Sequence, residues 1–179
     1  MEIIKTEIAG LEIRPQKMVG DHRGWLLEMF PGGMANSAVQ PWGFGNLCAS
    51  VATGKHIPRG GHYHYHDHEI FFTLTGSALW LFYDFRKDSS TQGKMDGLIT
   101  GAAPPSGQIY HKSYTIAEEK FVQVTVPVGV YHVFWPLTDE VVHVIELGSV
   151  PYDSADYWRG QPAEIPGFPE ILKRYGIKT

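Results

Sequence analysis

The chain has 179 residues, 43% hydrophobic and 19% charged, with a formal net charge of −4 at pH 7 when its histidines are neutral. That balance predicts one globular domain with a sizeable core, excludes a disordered chain, and argues against a nucleic-acid or anionic-membrane partner. Cys48 is the single cysteine, which excludes an intrachain disulfide and a thiolate cluster; it stands in an apolar run and is expected to be buried. Glu2, Lys5 and Glu7 interrupt the N-terminal stretch, so no signal peptide is expected, and no apolar run approaches the ~20 residues of a membrane helix. A soluble cytoplasmic protein is the expectation.

In chain order, short runs rich in Val, Ile, Phe, Tyr, Thr and Trp predict strands at 3–8, 11–15, 25–30, 44–52, 61–65, 70–75, 77–84, 121–126, 131–135 and 140–147. Turn residues separate them: Ala9-Gly10, Pro31-Gly32-Gly33, Thr53-Gly54, Thr75-Gly76, Pro127-Val128-Gly129 and Thr138-Asp139. Residues 86–114 are polar and Gly/Pro-rich and are expected to form a long inter-strand insertion. Near the C-terminus, 169–176 is expected to form one short helix. Many short strands without a long amphipathic helix predict an all-β sandwich or barrel in a single domain, 1–179, with an N-terminal strand arm over about 1–30.

Chemistry is concentrated in two segments. His62-Tyr63-His64-Tyr65-His66-Asp67-His68-Glu69, followed by Gly76, reads H-x-H-x4-E-x6-G, and Pro127 to His132 reads P-x-G-x-x-H. Side chains alternate along a strand, so His62 and His64 share a face, while Glu69 and His132 arrive from other strands. Three imidazoles and a carboxylate form a ligand set for one divalent ion, zinc first, with Ni, Fe or Mn as alternatives. His66 and His68 have the same parity as His62 and His64, but the gap from Glu69 to Gly76 favours the first pair. The alternation places Tyr63 and Tyr65 on the opposite face.

These motifs resemble the cupin superfamily, whose fold is the jelly-roll double-stranded β-helix, and within it the dTDP-4-dehydrorhamnose 3,5-epimerase family. Asp21-His22-Arg23-Gly24 with Glu28-Met29-Phe30 resembles that family's D-x-R-G…E-x-F signature. Arg59-Gly60-Gly61-His62-Tyr63 resembles its R-G-L-H-Y segment. Gly76 and Asp84-Phe85-Arg86-Lys87-Asp88-Ser89-Ser90-Thr91 follow its G…D-L-R-x-x-S-x-T pattern, and Pro127–His132 its P-x-G-x-x-H. The resemblance implies a homodimer, a nucleotide-sugar substrate, and phosphate contacts from Arg23 and Arg59; Glu28 belongs to the same signature, although Glu28 and Arg86 can equally form a structural pair.

The family abstracts protons with the histidine matching His62, needs no metal, has a lysine where Glu69 stands, and places a tyrosine acid within 144–146, where this chain has none. Glutamate for lysine replaces a cationic oxyanion stabiliser by an anion, which suits a bound cation. A similar H-x-H-x4-E with P-V-G-x-x-H and D-H-R-G is found in the zinc-binding cupin domain of a bifunctional capsular-polysaccharide enzyme acting on UDP-4-keto sugars.

The expected function is therefore a metal-dependent epimerase or isomerase of a nucleotide-linked 4-keto sugar, of the kind used in polysaccharide biosynthesis. A base removes the proton next to the ketone while the metal stabilises the enediolate. With His62 ligated, the candidate bases are His66, His68 and Tyr131, and the sequence does not choose among them. The alternatives are a metal cupin dioxygenase or lyase acting on a small molecule, and a non-catalytic sugar-binding cupin.

Overall fold

The computed structural model describes residues 3–30, 43–101, 113–114 and 120–178. The strands are β1 Glu12–Asp21, β2 Gly24–Leu27, β3 Asn46–Ala52, β4 Arg59–His64, β5 Glu69–Thr75, β6 Ala78–Asp84, β7 Met95–Thr100, β8 Ser113–Tyr114, β9 Lys120–Val126, β10 Val130–Pro136, β11 Val142–Gly148 and β12 Tyr157–Arg159. Among the described residues a short 3-10 turn at Pro162–Glu164 leads to one α-helix, α1, at Phe168–Arg174. No helix among the described residues is long and apolar enough to cross a membrane.

The strands form two six-stranded sheets, in the orders β2-β1-β9-β5-β11-β3 and β12-β4-β10-β6-β7-β8. All pairings are antiparallel except β7 with β8. The two sheets face each other as a cupin-type jelly roll, all-β with a short C-terminal helix.

Alternation decides what each strand offers the interior. In β5, Phe71 joins the core between the sheets, while Ile70 and Phe72 pack on the outer side. In β6, Trp80 and Phe82 point inward, whereas Leu79 and Leu81 pack in the cluster that contains Phe168, Ile171 and Leu172 of α1. β10 follows the same rule: Val130 and Phe134 face the inner core, and Tyr131, Val133 and Trp135 the helix side. Each large side chain buried here is worth about 1.5–3 kcal/mol, so both faces of β6 and β10 contribute to stability. The period of two is therefore what hands His132 to the interior and Tyr131 to the helix.

Several expectations need correction. The run 3–8 contributes only an isolated bridge, Ile4 to Ile13, rather than a strand. Residues 86–114 are not one long insertion: β7 lies inside them and pairs with β6 along its length. Gly97 interrupts its apolar run, yet Leu98 and Ile99 are fully buried. Strand β12 was also missed, being only three residues long. Cys48 is exposed rather than buried, because β3 is the edge strand of its sheet. The turn at Pro31-Gly32-Gly33 and the Gly/Pro-rich residues 102–107 lie outside the described residues.

Candidate metal centre

His62 and His64 lie on the inward face of β4, and His132 sits directly opposite His62 in β10. Glu69 opens β5 in the other sheet, where it pairs with Gly148 of β11 and Val126 of β9. Three imidazoles of one sheet thus meet one carboxylate of the facing sheet across the barrel interior. One donor atom from each of the four residues can be chosen so that all lie within 4.8 Å of one another.

The strand pair that presents the histidines depends on glycine. Gly60 has φ 87°, and a Cβ there would stand 2.8 Å from the carbonyl oxygen of His132. The left-handed conformation and the close approach together exclude larger residues. The register shifts between His132 and Val133 at the same place, a bulge that turns the pair toward the cavity.

The hydrogen bonds behind the imidazoles decide what their front faces can do. His132 Nδ1 lies 3.2 Å from the Val130 carbonyl oxygen and donates to it, leaving the Nε2 lone pair 3.0 Å from Glu69 Oε2. His64 Nδ1 lies 3.3 Å from Asp156 Oδ2, and its Nε2 stands 3.2 Å from the same Glu69 oxygen without hydrogen-bond geometry. His62 Nδ1 and His64 Nε2 are buried with no hydrogen-bond partner. Lone pairs converging on a buried carboxylate call for a cation between them, either protons or a metal ion. The residues therefore fit a divalent metal.

Charge follows the same logic. Burial alone would push the Glu69 carboxyl up, but His132 and His64 hold it well below the usual carboxylate range. Burial, reinforced by His132, pushes His62 down to about 3, so its imidazole is neutral, as a metal ligand must be. Burial also lowers His64, but the adjoining Glu69 outweighs it and the net shift is upward. Glu146 rises to about 8 through burial and through its contact with Glu69.

A cavity of about 200 Å3 opens beside the cluster, lined by Arg59, His62, Phe71, His132, Glu146, Tyr157 and Arg159 among others. Arg59 stands at this cavity, with Nε donating to Ser50 Oγ at 2.8 Å. The other expected residues lie elsewhere. Arg23 sits at the tip of the β1–β2 hairpin, its Nε donating to Asp21 Oδ2 at 3.1 Å, and Glu28 is exposed. Arg86 pairs with Asp84 rather than with Glu28. His66 and His68 lie in the turn after β4, outside the cavity lining, with the His68 amide donating to Ser149 Oγ. Tyr131 is fully buried on the helix side and donates its hydroxyl to the Gly160 carbonyl. None of these three candidate bases lines the cavity.

Glu146, Tyr157 and Arg159 went unnoticed in the sequence. Glu146 shares inward parity with Val142 and Val144 on β11, a signal that alternation carries. Tyr157 and Arg159 come from the unrecognised β12, opposite His64 and His62, with the Arg159 guanidinium 4.3 Å from the Tyr157 ring centre.

Residues 5–159 match the model of the dTDP-4-dehydrorhamnose 3,5-epimerase family. The dTDP-4-dehydrorhamnose 3,5-epimerase of Shigella flexneri is 30% identical over 153 residues, covering 83% of this chain and 75% of the relative. A dTDP sugar isomerase from Desulfovibrio desulfuricans G20 superposes with a TM-score of 0.71 at 17% identity, over 91% of this chain and 92% of that one. The dTDP-6-deoxy-D-glucose-3,5-epimerase of Legionella pneumophila Philadelphia 1, solved with dTDP-4-keto-L-rhamnose, gives a TM-score of 0.69 at 24% identity, over 88% and 76%. With its sheets, its inward histidines and its sequence all in agreement, this chain belongs to the dTDP-4-dehydrorhamnose 3,5-epimerase family.

Proposed function

We propose that this protein epimerises a nucleotide-linked 4-keto sugar at a cavity whose inner wall holds a divalent cation through His62, His64, Glu69 and His132. The observation that carries the metal is the pair of buried, partnerless nitrogens, His62 Nδ1 and His64 Nε2, within a group of four residues whose donor atoms lie within 4.8 Å of one another. Family membership supports the sugar-nucleotide substrate. Zinc suits three imidazoles and one carboxylate, and Ni, Fe and Mn accept the same set. Bound there, the cation supplies Lewis acidity toward a substrate carbonyl.

The chain's own groups do the rest. A cavity of about 200 Å3 is small beside the roughly 300–1,000 Å3 of whole-ligand pockets, so it takes the sugar and leaves the nucleotide at the mouth. Arg59 and Arg159 line that cavity and carry forks suited to phosphate oxygens. Glu146, raised to about 8, is the cavity carboxyl: its carboxylate form takes the proton from the carbon next to the ketone, and the carboxyl so formed returns one to that carbon. Tyr157, pushed up to about 12, stays a hydrogen-bond donor. The reading includes a homodimer, in which a second copy covers the exposed Val19, Trp25 and Leu26 of the β1–β2 arm; light scattering tests it.

One observation favours a second reading. His62 is a neutral, half-buried imidazole at the cavity wall, so without a ligated metal it would itself accept the proton. Two measurements on untagged protein separate the readings: elemental analysis, and deuterium uptake from solvent into a dTDP-4-keto-6-deoxy sugar. The metal reading expects about one metal per chain and exchange that stops on chelation. Undiminished exchange after chelation transfers the reaction to His62, and no exchange under any condition overturns the epimerase reading.

A further inference from the structure

We infer that Asp156 is a positioning residue for the metal centre, selecting the His64 tautomer whose Nε2 faces the cation; this rests on the metal-centred reading above. Asp156 is 5% exposed and lies just ahead of β12, in a turn closed by its own amide donating to the Asp153 carbonyl at 3.1 Å. Its Oδ1 accepts the Tyr65 amide at 3.0 Å. Its Oδ2 accepts the Asp67 amide at 3.1 Å and faces His64 Nδ1 at 3.3 Å.

A carboxylate only accepts, so the His64 contact requires the proton on Nδ1. In the neutral ring this leaves the lone pair on Nε2, the atom turned toward Glu69. One side chain thus decides which nitrogen of His64 is bare and also fixes the backbone on either side of His66. The partner is specific to one ligand: His132 leans on the carbonyl of Val130, and His62 Nδ1 has no partner. Aspartate is required because three donors converge on its two oxygens. Asparagine would turn an amide NH2 toward at least one of them, and if that one is His64, Nδ1 becomes the acceptor and Nε2 carries the proton into the metal site.

β12 adds a second constraint on the same ring. Tyr157 pairs with His64 across the strands, and its ring centre lies 4.3 Å from the imidazole. The turn at 153–156 therefore backs His64 while Tyr157 of β12 flanks its ring, both far along the chain from the motif that carries the ligands.

The test compares Asp156→Asn with Ser149→Ala. Ser149 Oγ accepts the His68 amide at 2.9 Å and donates to Asp67 Oδ1 at 2.9 Å, so it anchors the same 65–68 turn without touching His64. Zinc affinity is measured by competition with a chromophoric chelator, and the His64 protonation site by 15N NMR of the imidazole. Asp156→Asn is expected to weaken zinc binding about 10–100-fold, the usual effect of losing a partner behind a ligating histidine. Ser149→Ala should stay close to wild type, and wild-type His64 should carry a proton on Nδ1.

Unchanged affinity in Asp156→Asn, or an equal loss in Ser149→Ala, overturns the inference. So does a bare Nδ1 in the wild-type protein, a measurement that needs no variant to fold. A wild type with no zinc affinity instead sinks the metal-centred reading, and the Nδ1 measurement still decides whether Asp156 orients His64.

Discussion

Two carboxylates are buried in this barrel, and they live in contrasting surroundings. Asp84, with a fully buried side chain, accepts from Arg86 Nε at 2.8 Å and Nη2 at 2.7 Å, and from Ser89 and Thr91 hydroxyls at 2.7 Å each. Glu69, almost as buried, faces the Nε2 atoms of His64 and His132, rings whose Nδ1 protons are engaged elsewhere. Both carboxyls are held below their usual range against the opposing effect of burial, so the direction of the shift does not distinguish them. The partners do: Asp84 is saturated by fixed donors and structural, while Glu69 faces two imidazole nitrogens that meet it only through a shared cation, either protons or a metal ion.

The largest expected effect falls on the Glu69 site. Glu69→Ala should reduce bound metal from about one per chain to none, with loss of turnover, measured by elemental analysis after dialysis against zinc. Metal retained at full stoichiometry in that variant would break the contrast. Asp84→Ala should do the reverse, leaving zinc affinity intact while costing about 3 kcal/mol in urea unfolding, because Arg86 loses its partner.

Chelation sharpens the comparison further. At a metal concentration of 100 times Kd, binding contributes about 2.7 kcal/mol; chelator should remove that from wild type and Asp84→Ala but nothing from Glu69→Ala. Acid separates the two carboxyls in another way. The Asp84 pKa is lowered from 3.8 to about 2, so its contribution is present in full above the ordinary carboxylate pKa and lost as pH falls toward 2. Urea midpoints of Asp84→Asn should accordingly lose part of the wild-type slope across that window. The smallest effect belongs to Thr91→Ala, which removes one of several donors to Asp84 and should cost about 1 kcal/mol, with no change at the metal centre.

Much of this contrast could be read in the sequence, and the failures have physical causes. H-x-H-x4-E and P-x-G-x-x-H specify four donors because strand alternation converts spacing into facing. The same rule, applied to Tyr131, puts it on the face opposite His132, so adjacency in sequence to a ligand was evidence against a catalytic role. His66 and His68 share the ligands' parity, but parity holds only while the strand continues, and β4 ends at His64. Cys48 misled because an apolar run says nothing about whether its strand lies at an edge.

By itself, then, the sequence determined the all-β architecture through local periodicity, the shared face of His62 and His64 through short-range spacing, and, through the likeness of its motifs, the family membership that the comparisons bear out. Tertiary structure alone decided which further residues share the site. Glu146 meets Glu69 because β11 lies beside β5, and Asp156 reaches His64 from 92 residues away because β12 pairs with β4. Such contacts arise from sheet order, and no local pattern in the chain encodes which strand lies next to which.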